Sequence, residues 1–544
     1  MDRLSKSFPY FLVLMASGAA IAAPAVPPDA GLIYQQQQAH ENNAPPSSQL
    51  PLDLKGQSLG KAQQGGTKVV LKKVNFTGNT IYSDEQLQKV IGSVKGKSFD
   101  LAGLRNLANQ VSQYYRKHGY SFATALLPAQ KLSSGELTIQ VVEGQYGQVT
   151  IKGNDAAINK AISPYLSTLK SGEVIESSSL ERQLLLIKDL PGIDATPVLK
   201  PGAQTGRGDL DVEVDPQQRV RALIGGDNYG SRYSGEYRLR AALSANHLFK
   251  VGDELSLSGS YSNEDTWLGG INYVLPVGYD GLKANVGYSH TDYQLGHGFE
   301  GYTGTADIYA AGVSYPAIRS QNSNLSLSAT FQYKRLDDDA LSVYDKTAHS
   351  QSVPLTINFD RRDALLGGGI TWGQLTLTPG KIKVAQTDTD SERSGFTKWD
   401  LELSRIQNVG AGFNLYAHMR GQWVDHDTID GSESFYLGGP DGVRAYPVGE
   451  GSDARGVLGQ VELRYQKLPY GLSPYLFVDS GYTPNGGIDT GDSRHLTGAG
   501  VGLRANYQGF SVTTAVAWKV DGGNALSDDE QRNPRFWVSA GYQF

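Results

Sequence analysis

Two spacings of apolar residues divide the chain. Between Val69 and Pro216, short alternating runs are interleaved with apolar residues three and four apart; beyond Gln217 only alternation is left. "VVLKKVNFTGNT" reads as a strand ending in a Gly-Asn turn. Ser83 stands as a cap before "DEQLQKVIG", where Leu87, Val90 and Ile91 share a helical face. A longer helix is predicted over "DLAGLRNLANQVSQYYRKHG", with Asp100 as cap, Leu104, Leu107, Ala108, Val111 and Tyr115 as buried stripe, and Gly119 as stop. The strands "YSFATALLPAQ" and "GELTIQVVEG" complete a β-α-α-β-β order. The order then returns: strand "GQVTIKGN", helices "AAINKAISPYLSTL" and "SSSLERQLLLIKDL", strands "GIDATPVLKPG" and "RGDLDVEVDP". Two copies in tandem predict a repeated α+β module, 67–144 and 145–216.

From 217 to 544 the pattern is that of a large β-structure. "ELSLSGSYS" puts Leu255, Leu257, Gly259 and Tyr261 on one face, and "LSLSATFQYKR" puts Leu325, Leu327, Ala329, Phe331 and Tyr333 on one face. Further alternating segments follow to the last, "RFWVSAGYQF", in which Phe536, Val538, Ala540, Tyr542 and Phe544 share a side. At about 20 residues per strand and loop this length holds roughly sixteen strands, with turns of alternately short and long span. Tyrosine and tryptophan recur near strand ends, where the aromatic girdles of a membrane barrel lie.

Composition sharpens the picture. Gly (65) and Tyr (30) are in excess while apolar residues are only 39%, which suits a barrel whose alternate residues face lipid. Beyond the N-terminus no segment approaches the ~20 apolar residues of a spanning helix. There, Arg3 and Lys6 precede "FPYFLVLMASGAAIAA", and Ala20-Ile21-Ala22 offers a cleavage site, so 1–22 reads as a secretory signal peptide. The stretch 23–66 is rich in Pro, Gln, Ser and Asn, with one short helix expected in "PPDAGLIYQQQQAHENN" ahead of a linker. A net charge of −6 with mixed signs gives no reason to expect nucleic acid. Nine scattered histidines, no cysteine, and no HExxH, GxSxG or GxxxxGK[ST] leave no catalytic group, metal site or cofactor to assign. Asp425, Asp427 and Asp430 near His426, and "TDTDSE" at Thr387–Glu392, lack calcium-loop spacing and are expected as charged extracellular loops.

One glycine-rich stretch, "GGPDGVRAYPVGEGSDARG" (438–456), joins two alternating segments and holds Val443-Arg444-Ala445-Tyr446. One strand further on stands Phe477-Val478-Asp479-Ser480-Gly481. This pair of motifs resembles that of the superfamily of barrel-assembly proteins and two-partner secretion transporters. There a Val-Arg-Gly-Tyr/Phe core in the sixth long loop folds into the lumen, and its Arg pairs with the Asp of a Phe-x-Asp-x-Gly wall motif. The tandem modules are similar to polypeptide-transport-associated (POTRA) domains, especially at "LPAQKLSSGELTIQVVEG". Ala445 departs from the family glycine, and an alanine would be strained there if the site needs φ > 0.

The resemblance implies an outer-membrane transporter of a two-partner (type V) secretion system, like the hemolysin-activator and filamentous-haemagglutinin transporters. It implies a barrel of about sixteen antiparallel strands with a lumen-folded loop, preceded by two periplasmic α+β POTRA domains. It also implies Arg444 paired with Asp479, flanked by Phe477 and Gly481, and a helix within 27–43 that occupies the lumen at rest. The partner would be a large exported adhesin- or hemolysin-like protein, docked on a POTRA edge strand as an extended chain. The last strand, through Phe536, Val538, Tyr542 and Phe544, resembles the signal read by the barrel-assembly machinery. The alternatives are an outer-membrane assembly factor of the same superfamily and, less well matched, a porin-type channel.

Overall fold

The computed structural model describes residues 27–38, 44–46, 50, 65–341, 344–386, 389–426, 429–486 and 492–544. The expected signal peptide, most of the linker, Asp427 and the start of the Thr387–Glu392 stretch lie outside the described residues.

The first module forms where its caps and periodicity require. Ser83 and Gln86 make a reciprocal capping box on the helix Asp84–Ile91, and the Asp100 side chain accepts from Gly103 N–H to start the helix Leu101–Lys117. Both helices bury their apolar stripe against a three-stranded sheet, with Lys73–Thr77 and Thr124–Leu126 flanking Glu136–Val142. The short pair Val69–Val70 and Ser98–Phe99, not expected from the sequence, closes one side. The second module repeats the plan: Gln145–Lys152 and Ile193–Pro201 flank Arg207–Pro216, and the helices Ala156–Ile162 and Ser177–Lys188 pack on the sheet. In both, the middle strand of the sheet's three in chain order, Thr124–Leu126 and Ile193–Pro201, lies at the sheet edge.

The modules and the barrel are joined by specific contacts. Ser177 N–H donates to Gly119 O (2.8 Å), Ile175 N–H donates to Gly144 O (2.9 Å), and Phe122 of the first module packs on the core of the second. The second module is held to the barrel by a two-pronged ion pair, Arg319 Nε and Nη2 to Asp189 at 2.6 and 2.7 Å, and by Arg182 donating to Pro316 O.

The remaining strands, Val220–Asp227 to Arg535–Gln543, close an antiparallel barrel in which each pairs with its neighbour in sequence. Tyr344–Ser352 and Leu355–Asp363 are two pieces of one wall strand interrupted at Val353–Pro354. Both pair with Ser323–Ala340 on one side and Gly369–Gln386 on the other, which makes sixteen strands. Pro354, which has no N–H to give a ladder, stands at the break. The ring shuts where Arg535–Gln543 meets Val220–Asp227, and Ala222 and Phe544 exchange both backbone hydrogen bonds at 2.9 Å. Strand lengths are uneven: 8 and 9 residues for Val220–Asp227 and Arg238–Asn246, 18 for Tyr302–Arg319 and Ser323–Ala340, 22 for Thr389–Gly410.

The outward positions are apolar and exposed, among them Leu257, Tyr261, Leu327, Phe331, Phe536, Val538, Tyr542 and Phe544. A soluble protein would not leave such a band open to water. The lumen holds a helix from the N-terminal region and an inward-folded loop. The helix Ala30–Gln37 is capped by Asp29 and lies inside the barrel: Ala30 N–H donates to Asp338 (2.7 Å), Arg238 donates to Gln36 O (2.8 Å) and Ser260 Oγ to Gln37 Oε1 (3.1 Å).

Candidate functional site

The loop between the strands Phe413–Val424 and Gly456–Tyr465 turns inward. Its core is buried without a break from Gly442 to Gly451, and Val443, Ala445 and Tyr446 have no exposed surface. Glycine is needed where the backbone is pressed: a Cβ on Gly442 would lie 2.0 Å from Leu437 O, and one on Gly438 2.0 Å from Pro447 O.

Arg444 stands at the tip. Its Nε and Nη2 donate to the two oxygens of Asp479 at 2.8 and 2.6 Å, and its main-chain N–H donates to Asp479 Oδ2 at 3.1 Å. The guanidinium lies over the Phe477 ring with Cζ 3.6 Å from the centroid. Arg444 is 4% exposed and Asp479 0%, so each charge depends on the other for solvation. The wall motif divides the work. Phe477 stacks, Asp479 pairs, and Gly481 leaves room for Leu437, whose Cδ2 would be 2.6 Å from a Cβ there.

A second carboxylate, which the sequence reading missed, completes the site. Arg444 Nη1 donates to Glu462 (2.7 Å), which also receives Arg464 (2.7 Å) and Arg504 (2.8 Å). Three guanidiniums therefore converge on one buried carboxylate. Glu462 is six residues below Gly456 on its strand, so the loop tip reaches roughly 20 Å down the wall. Glycines at 498, 500 and 502 of the next strand but one open the space, since a Cβ at each would strike Ala445, Phe477 and Tyr475 in turn.

Further anchors fix the rest of the loop. The Tyr446 hydroxyl donates to Asp521 O (2.8 Å), Trp537 Nε1 to Arg444 O (2.7 Å) and Gln460 Nε2 to Gly442 O (2.8 Å). Glu450, also missed, is fully buried; it receives Arg494 (2.6 Å) and the N–H groups of Leu526 and Ser527 (2.9 and 2.8 Å), tying this loop to the last one.

Three expectations change. Ala445 is absent from the residues with positive φ, so it carries no backbone strain; its methyl is accommodated by Gly498 opposite. The inward region begins before 438: Phe435 pairs with Asp453, and Ser432 and Glu433 are already buried. Asp430 is not an outward loop charge. It faces Lys346 (3.4 Å), a lysine shared with Asp29 of the lumen helix (2.9 Å), while Glu433 pairs with Lys334 and Lys398, both at 2.6 Å. A carboxylate turned into a crowded lumen survives only with such partners. Phe536, Val538, Tyr542 and Phe544 lie on the outer face of the closing seam, away from this site.

A lipid-facing barrel, a paired α+β arm at one mouth and a folded loop within the lumen define an outer-membrane polypeptide transporter with its arm in the periplasm. Residues 206–505 match the family model "Haemolysin secretion/activation protein ShlB/FhaC/HecB", and residues 69–144 match "POTRA domain, ShlB-type". The chain belongs to this haemolysin secretion/activation family of two-partner secretion transporters, which export partner proteins and are not enzymes. It is 28% identical over 540 residues to the heme/hemopexin transporter protein HuxB of Haemophilus influenzae, covering 94% of each. It is 24% identical over 479 residues to the outer membrane transporter CdiB of Dickeya dadantii, covering 84% of this chain and 83% of that one. In fold it is similar to the solved CdiB from Escherichia coli, with a TM-score of 0.71 at 21% identity over 90% of this chain and 93% of the other.

Proposed function

We propose that this transporter takes up a large exported adhesin- or hemolysin-like partner on its periplasmic arm and passes it as an extended chain through the barrel. The arm consists of POTRA units at 67–144 and 145–216, and the barrel occupies 217–544. The observation that carries the reading is the placement of the second unit's open edge. Strand Ile193–Pro201 is unpaired on one side among the described residues and follows Gly192, which lies against Asn246 and His247 at the barrel mouth. A client strand added there would run toward the pore. Pro197 and Pro201 withhold two N–H donors, so pairing would lean on strand carbonyls and neighbouring side chains.

In this reading the helix Ala30–Gln37 is the resting plug, and the Arg444–Asp479 pair holds the inward loop in its working position. The outer face of the last strand, with Phe536, Val538, Tyr542 and Phe544, is the surface offered to the assembly machinery during insertion. The test is the surface appearance of a candidate partner, a large exported protein sought among the genes beside this one, in cells with and without this chain. Loss of that protein alone, with other barrel proteins at normal level, is the expected result. A general loss of barrel proteins would make the chain an assembly factor instead.

A further inference from the structure

Apolar side chains on the lumen wall gather under the helix Ala30–Gln37 and under the inward loop, and a further apolar patch lies near the periplasmic mouth. Register pairs run Arg362–Ile370, Ile370–Ile406, Ile406–Tyr416 and Tyr416–Glu462, so these residues form a single inward row across five adjacent strands. Trp372, two residues beyond Ile370, adds its ring 6.2 Å from that of Tyr416. The patch opens on a cavity of about 830 Å³.

Part of the chain's own leader is seated there. Ala44 packs against the cluster of Ile370, Trp372 and Tyr416, and Arg362 Nη2 donates to the carbonyl of Pro45. Further along the leader, Leu50 is buried with the core of the second POTRA unit and its N–H donates to Gln321 Oε1 (3.0 Å) at the barrel rim. Residues 44–46 and Leu50 thus lie at the mouth through which an exported chain would enter.

The recognition chemistry is general. A guanidinium on a main-chain carbonyl reads any sequence, and an aromatic-lined wall suits the flat faces of proline and small apolar side chains in extended backbone. Ala44-Pro45-Pro46 has those properties. We propose that Arg362, Ile370, Trp372, Ile406 and Tyr416 form a transit subsite for extended, proline- and small-residue-containing segments of the exported polypeptide, held at rest by residues 44–46. This rests on the transporter reading above. Release of the leader and engagement of the client are then competing events at one place on the wall.

The test uses the full-length protein in planar bilayers, with a synthetic Ala-Pro-Pro-Ser-Ser-Gln-Leu peptide, copying residues 44–50, added on the periplasmic side. A peptide with Ser at its first three positions serves as control. The Ala-Pro-Pro peptide is expected to block current, and Trp372→Ser to raise its half-blocking concentration about tenfold, the aromatic platform being lost. Ala44→Asp, which expels the leader from the patch, should increase both open current and block. Equal block of wild type and Trp372→Ser at unchanged conductance overturns the proposal, as does equal block by the Ser peptide. Absence of block in both wild type and Ala44→Asp overturns it too. Ile406→Ser replaces Trp372→Ser if the latter yields no heat-modifiable folded band. Failure of the transporter reading would appear separately, in the surface assay of the neighbouring protein, and leaves the peptide block unaffected.

Discussion

Arg444→Ala is the most informative single change. In the native barrel Asp479 is fully buried and receives Nε, Nη2 and the main-chain N–H of Arg444, while Glu462 keeps Arg464 and Arg504 whatever happens at 444. The lost partner is therefore felt at Asp479, a charge left with one backbone donor in a dry wall. Breaking such a pair costs about 3–5 kcal/mol, which at 1.4 kcal/mol per decade shifts the docked-to-undocked balance of the loop by roughly a hundred- to a few thousandfold. Tyr446, Glu450 and Trp537 remain as anchors, so the barrel should still insert and still show a heat-modifiable band. The expected outcome is loss of partner secretion with noisier single-channel current. Arg444→Lys should rescue poorly, since one ammonium cannot serve both Asp479 oxygens and stack on Phe477. Arg444→Ala with Asp479→Ala removes the stranded charge and should regain stability without regaining secretion. Normal secretion and quiet current in Arg444→Ala would refute the reasoning.

Three further outcomes can be checked. Gln37→Cys with Ser260→Cys, in a chain that has no cysteine of its own, should be joined by a short thiol crosslinker at rest, and the crosslink should stop secretion until cleaved. Glu143→Gln removes a buried carboxylate that accepts from Thr80 N–H (2.7 Å), Ile81 N–H (2.9 Å) and Tyr115 Oη (2.7 Å); about 1–3 kcal/mol of stability should be lost, read as faster proteolysis of the first POTRA unit. Lys152, Lys200 and Thr150 on the Asp211 carboxylate hold its pKa well below the usual range, so their stabilisation is complete above the ordinary carboxylate value near 4 and is lost as pH falls through the depressed one. Hydrogen exchange of strand Arg207–Pro216 in the full-length protein should quicken only on the acid side.

Much of the molecule was legible because each element carries its own local signal. Ser83 and Asp100 cap the helices they precede, and the alternation at Leu257 and Tyr261 has the parity of the lipid face. The Arg444–Asp479 pair was legible only through two short motifs whose spacing no local rule explains. Glu462 escaped because an inward polar residue in "VELRYQ" is what any barrel strand offers; its importance comes from Arg464 and Arg504 meeting across strands. The glycines of "GAGVGL" were a usable signal, since three at alternate positions strip one face of a strand of its side chains, and that face receives the loop. Asp430 was misread because a charged loop residue is ordinarily solvated, and nothing local reveals that its loop descends beside Lys346.

The uneven strands have a consequence at the cell surface. At about 3.3 Å per residue and a tilt near 45°, a 22-residue strand rises about 50 Å and a 9-residue strand about 20 Å, against an apolar band near 25 Å. The outer rim is therefore lopsided, standing as a tall screen over one arc and dropping nearly to lipid level over the other. A polypeptide emerging from such a spout meets a wall on one side and water on the other.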